Sequence, residues 1–115
     1  MTYTPFVLGA WVANRAVTNN WIRAEFATPK YVFESITQGR DGSAQYITSY
    51  TLSYGFDGLD MQPIVENADV KEFEGTLDAN DKLLHEINIY AQYIQLNIIG
   101  YNSYPALRWG LIGCC

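Results

Sequence analysis

The sequence holds one histidine, His85, inside the stretch LLHEI, and two adjacent cysteines, Cys114 and Cys115, at its last two positions. A histidine can serve as a general base or a metal ligand, but either role needs partners at matching spacing. None can be proposed around His85, which reads as a structural or surface residue. Ser43, Ser49 and Ser53 lack the flanking glycines of a nucleophile elbow. Asp57, Asp60, Asp78 and Asp81 fall in turn-forming stretches without the spacing of a dedicated calcium loop. Side chains that bond their own backbone explain these aspartates better, so no metal and no cofactor is expected, with a calcium site the minority alternative and not indicated by the spacing. No stretch brings a base, a nucleophile and an oxyanion donor together, which argues against an enzyme.

Binding chemistry is better represented. In QGRDGSAQY, Gly39 and Gly42 bracket Arg40 and Asp41, giving a polar tip that offers a guanidinium, a carboxylate and an amide. In GYNSYP, Tyr101 and Tyr104 flank Asn102 and Ser103, so ring faces sit beside hydrogen-bonding groups. Sugar rings are held this way, with C–H faces on aromatics and hydroxyls on amides and carboxylates. Exposed aromatic tips also serve lipid or protein contacts.

Such loops need a scaffold, and the rest of the sequence describes one. A length of 115 residues fits a single domain spanning 1–115. With 49% hydrophobic and 17% charged residues the chain reads as globular and not as disordered. The net charge of −5 and the lack of any Lys/Arg cluster exclude a nucleic-acid footprint and a general pull toward anionic membranes. No apolar run approaches a membrane span. Apolar-aromatic runs alternate with turn clusters such as GRDGS, GFDG and LDAND. QYITSYTLSY alternates, with Tyr46, Thr48, Tyr50, Leu52 and Tyr54 on one parity and Ile47, Ser49, Thr51 and Ser53 on the other. Leu83–Ile99 could be drawn as a helix, but its isoleucines and tyrosines favour strands. Short strands separated by turns imply an all-β, antiparallel β-sandwich with its loops gathered at two ends.

Several of these segments, in order, resemble the discoidin family, also called the coagulation factor 5/8 type C domains. WIRAEF resembles the family's W-[IL]-Q-V-D-L strand, and SITQGR followed by QYITSYTLSY resembles its T-Q-G-R…[WY]-V-T-S-Y run. FDG and FEGTLD match two family turns. QYIQLNIIGYNSYPALRWGLIGC resembles the ending that closes on A-L-R-x-E-[LV]-x-G-C. The match runs from about Gly9 to Cys114. Gln92 and Gln95 stand where the family has arginines, and Tyr101 where it has a tryptophan. The family's usual segment before Gly9, with its first strands and its own cysteine, has no counterpart in MTYTPFVL.

The resemblance implies a jelly-roll-like sandwich and a non-enzymatic, extracellular binding module of the kind used in adhesion. Its ligand surface would be the loops carrying Trp11, Asn14, Gln38, Arg40, Asp41, Gln45, Tyr46, Tyr101, Asn102 and Tyr104. A glycan or glycoprotein is the leading partner. A homo-oligomer or another protein chain comes second, because missing edge strands would expose backbone for pairing. Membrane lipid ranks last, since the tip RDGSAQ is small and polar. Arg108 sits in an otherwise apolar strand and would need an anionic partner if buried. Glu25, where the family has an aspartate, is the first candidate. Cys114 matches the family cysteine that staples the last strand to the chain's start. Its options here are a partner on another chain or on an absent segment, a small ring with Cys115, or two free thiols.

Overall fold

A computed structural model describes residues 10–12, 21–38, 46–75, 82–102 and 106–114. Their elements are β1 (Ala10–Val12), β2 (Trp21–Gln38), β3 (Tyr46–Gly55), β4 (Met61–Pro63), β5 (Val65–Glu66), β6 (Asp69–Val70), β7 (Phe73–Glu74), β8 (Lys82–Asn102) and β9 (Ala106–Cys114). Every pairing is antiparallel, in the strand order β1-β9-β2-β8-β3-β4, with β7 also on β3 and β5–β6 forming a separate hairpin. The all-β antiparallel architecture read from the sequence is the one observed, and Leu83–Ile99 is strand throughout.

The longest strands, β2 and β8, pair along nearly their whole length and carry both halves of the fold. At one end of this ribbon Trp21–Glu25 pairs with Asn97–Tyr93, and β3 continues the sheet beyond β8. At the other end Lys30–Gln38 pairs with Ala91–Lys82, and β9 continues the sheet beyond β2. Between the halves the register breaks: β2 spends five steps from Glu25 to Lys30 while β8 spends two from Tyr93 to Ala91. Pro29, which cannot donate to a ladder, lies in this irregularity. The inward parity of β8 switches there too, from Ile87, Ile89 and Ala91 to Ile94 and Leu96, all buried. The sheet thus turns upon itself and closes one core from Val32, Ile87, Ile89, Trp109 and Leu111 on one side and Ile47, Tyr50, Leu52, Ile94 and Leu96 on the other.

The alternation expected for β3 holds from Tyr50 onward. Tyr50 and Leu52 are buried, Tyr54 packs against the core, and Ser49, Thr51 and Ser53 sit between surface and interior. It fails before Tyr50: Ile47 is buried and Thr48 exposed, the reverse of the parity read from the sequence. Two register shifts against β8, at Ile47/Ser49 and Ser49/Tyr50, account for this, because an extra residue on one strand flips every side chain beyond it. Phe73 of β7 then stacks on Tyr50, with ring centroids 5.2 Å apart.

One polar chain crosses the core. The Trp109 indole N–H donates to Ser35 Oγ at 3.0 Å, and Ser35 Oγ lies 3.4 Å from the Tyr50 hydroxyl. Burial pushes the Tyr50 hydroxyl up to about 12, against the Ser35 hydrogen bond that lowers it.

Candidate functional site

The backbone register brings the anchors of the aromatic and amide-bearing segments to one end of the sandwich. Val12 lies opposite Ala106, Gln38 opposite both Arg108 and Lys82, and Tyr46 opposite Asn102. The three residues between Asn102 and Ala106 can span no more than about 14 Å, so the ends of the two half-sheets are close there. The described residues that flank 13–20, 39–45, 76–81 and 103–105 therefore all lie at this end. Tyr101, at the close of β8, is 44% exposed.

The predicted site residues divide accordingly. Tyr101 is at this end and open to solvent. The backbone of Trp11, Gln38, Tyr46 and Asn102 forms its rim. Asn14, Arg40, Asp41, Gln45 and Tyr104 lie outside the described residues, as does Cys115. Cys114 closes β9 opposite Tyr31, at the far end of the strand from the rim. The Arg108 backbone pairs with Ala10 and Gln38, and its side chain lies outside the described residues. The partner expected for it, Glu25, is opposite Tyr93 and accepts a hydrogen bond from that hydroxyl. Desolvation, the Glu25 hydrogen bond and the nearby carboxylates raise the Tyr93 pKa, and Arg23 works in the other direction.

His85 is a packing residue. Its Nε2 sits 2.7 Å from the Glu74 carbonyl and so donates to it, while the ring lies edge-on to Tyr50 and Phe73. Among the described residues no group of three or more His, Cys, Asp or Glu side chains could hold a metal ion.

Two features were missed in the sequence. The first is a polar row on the outer face of the sheet. Arg23 donates from Nε (3.1 Å) and NH2 (2.7 Å) to Gln95 Oε1, Gln95 donates to Asn97 at 2.7 Å, and Asn97 reaches Thr51 and Ser53. Trp21 stacks under the Arg23 guanidinium, 5.1 Å from its ring centroid. The outward parity of Gln95 with Asn97 and of Thr51 with Ser53 was the available signal.

The second is a cleft at the end of β3 remote from the rim, beside a turn in which Asp57 bonds its own backbone as expected from the sequence. Asp57 Oδ1 accepts the backbone N–H groups of Leu59 (2.8 Å) and Asp60 (2.7 Å), and these two bonds lower its pKa. The turn folds back so that Met61 pairs with Gly55. A Cβ at Gly55 would stand 2.5 Å from the Asp60 carbonyl oxygen, so only glycine permits this approach. The result is an open cleft of about 380 Å³ lined by Tyr54, Gly55, Phe56, Asp60, Met61 and Gln62.

Comparison with known proteins accords with this architecture. The F5/8 type C domain model matches residues 4–111. Lactadherin of Rattus norvegicus is 32% identical over 114 residues, covering 93% of this chain and 26% of that protein, so the chain spans about a quarter of that relative. The structure of discoidin II from Dictyostelium discoideum superposes with a TM-score of 0.81 at 25% identity, covering 92% of this chain and 42% of that one. CpGH89CBM32-5 from Clostridium perfringens, solved in complex with GalNAc-β-1,3-galactose, superposes with a TM-score of 0.61 at 12% identity, covering 95% of this chain and 94% of that one. A family model that takes in nearly the whole sequence, on an antiparallel fold of the same form, leaves one conclusion: the chain belongs to the F5/8 type C (discoidin) domain family of binding modules.

Proposed function

We propose that the chain is a non-enzymatic carbohydrate-binding module that works outside the cell in adhesion and holds its glycan at the rim end. The observation that supports this most directly is the convergence there of the anchors for 13–20, 39–45 and 103–105, with the Tyr101 ring exposed beside them. In this reading Tyr46, Tyr101 and Tyr104 offer ring faces to the C–H face of a sugar, and Trp11 adds apolar surface. Asn14, Gln38, Arg40, Asp41, Gln45 and Asn102 supply hydrogen bonds to hydroxyls. A domain of this fold solved with a disaccharide supports the reading. The specificity must come from the residues named here.

A glycan array followed by calorimetric titration with simple sugars tests the reading. Binding that Tyr101→Ala abolishes or weakens severalfold is the expected result. Silence on the array and in the titrations would end it.

A further inference from the structure

The cleft at the other end of β3 has the chemistry of a second sugar site. We infer that Tyr54, Phe56, Asp60 and Gln62 form a shallow subsite for a neutral pyranoside, separate from the rim. β3 has ten residues, Tyr46 at the rim and Gly55 beside the cleft, which separates the two by about 30 Å along the strand.

Four observations meet at this place. The first is the aromatic platform. Phe56 is 56% exposed and lies 5.7 Å, centroid to centroid, from Tyr90, which lies 4.5 Å from Tyr31. Tyr90 and Tyr31 are 43% and 52% exposed, so three contiguous rings face water where scattered apolar side chains would be the norm. The second is the polar set. Asp60 brings a carboxylate and Gln62 an amide to the same cleft, and among the described residues no side-chain hydrogen bond engages either group. A carboxylate accepts from two adjacent hydroxyls, and an amide accepts and donates, which together match a vicinal diol.

The third is preorganisation. Asp57 fixes the backbone of Leu59 and Asp60 through two hydrogen bonds, and the Gly55–Met61 pair closes the turn. A rigid shallow site suits a ligand whose own contacts are few and weak. The fourth is charge. Asp60 lines the cleft and Asp57 sits in its turn, with Arg23 against Gly58 of that turn; two carboxylates against one guanidinium, on a chain of net charge −5, disfavour sialylated or sulfated glycans and lipid phosphates and leave neutral sugars. Sites on opposite ends would let a single chain bridge two glycans without oligomerising.

The experiment is proton–nitrogen correlation NMR of the domain. It is titrated to tens of millimolar with the methyl pyranosides of galactose, glucose, mannose, N-acetylgalactosamine and N-acetylglucosamine, and with GalNAc-β-1,3-galactose. At least one sugar should move the backbone signals of residues 54–62 and the Gln62 side-chain amide. Phe56→Ala and Asp60→Asn should each weaken that response about tenfold, while Tyr101→Ala leaves it intact. Asp60→Asn keeps the side-chain shape on an exposed turn, and unchanged signals elsewhere verify that each variant is folded.

The inference is overturned if no sugar in the set moves residues 54–62, or if both variants respond as the parent does. It is also overturned if a sialylated disaccharide binds there more tightly than its neutral counterpart. Shifts of the same signals with protein concentration alone, in the absence of sugar, would mark a self-association face and overturn it as well. The rim reading is judged separately, by responses that depend on Tyr101.

Discussion

Ser35 Oγ lies 3.4 Å from the Tyr50 hydroxyl and so joins β2 to β3, two strands that share no backbone ladder. Trp109 donates to the same oxygen from β9. One small hydroxyl thus coordinates the three largest aromatic commitments of the core, since Phe73 stacks on Tyr50 in turn.

Removing that oxygen should be felt throughout the core. Ser35→Ala takes away the acceptor of the Trp109 N–H and the partner of the Tyr50 hydroxyl, in a place without solvent. A loss of about 1–3 kcal/mol is expected for breaking this buried relay, softened by relaxation. Urea denaturation measures it directly. A change below a few tenths of a kcal/mol would show that the chain carries no stability.

Tyr50 also sets a pH limit. Its folded pKa of about 12 lies above the ordinary value of 10.0, so the neutral hydroxyl is the form that folding favours. That contribution is complete below pH 10 and is lost as pH rises from there through 12. Two pKa steps correspond to roughly 2.7 kcal/mol. Denaturation midpoints measured across this window should fall with pH in the parent and fall less steeply in Tyr50→Phe.

The β5–β6 hairpin carries a local misfit. Asn67 and Ala68 form its two-residue turn with φ of 55° and 71°, both left-handed. Asparagine tolerates that region, but a Cβ there costs an alanine about 1–2 kcal/mol. Ala68→Gly should therefore stabilise the protein by up to about 1 kcal/mol, after the added freedom of glycine in the unfolded chain is offset. A rise in thermal midpoint of a few degrees is the expected reading, and a fall would refute the strain argument.

At Gly55 the prediction has the opposite sign. An added methyl would meet the Asp60 carbonyl, which is backbone and cannot swing aside. Gly55→Ala should cost about 1–3 kcal/mol and should perturb the backbone signals of residues 54–62. An unperturbed spectrum with full stability would mean that the turn does not close as described.

The legible part of the fold was the part governed by simple alternation. Tyr50, Leu52 and Tyr54 announce one inward face, and Ile87, Ile89, Ile94 and Leu96 announce a strand that helical spacing does not fit. What defeated reading was the place where alternation restarts. Nothing in ITSY marks the bulge that buries Ile47 and exposes Thr48, because the extra residue is defined only against β8. The site shows the same divide. Tyr101 could be picked out from its neighbours in GYNSYP, whereas the meeting of Phe56 with Tyr90 depends on a turn and a sheet bend distant in sequence. The pairing of Glu25 with Arg108 rests on analogy of position and falls on a side chain outside the described residues, whereas the neighbourhood of Glu25 and Tyr93 follows from cross-strand register.

The ribbon of β2 and β8 has a consequence for how the molecule must assemble. Each strand belongs to both half-sheets, so neither half exists until the chain's first long strand has found its second-last one. That search closes a large loop before any packing rewards it, which places folding on the slow side for a domain of this size, milliseconds to seconds. Nor is there a stable fragment to fall back on. Pulling the two strands apart would unmake both faces at once, and the domain should melt and refold as a single event.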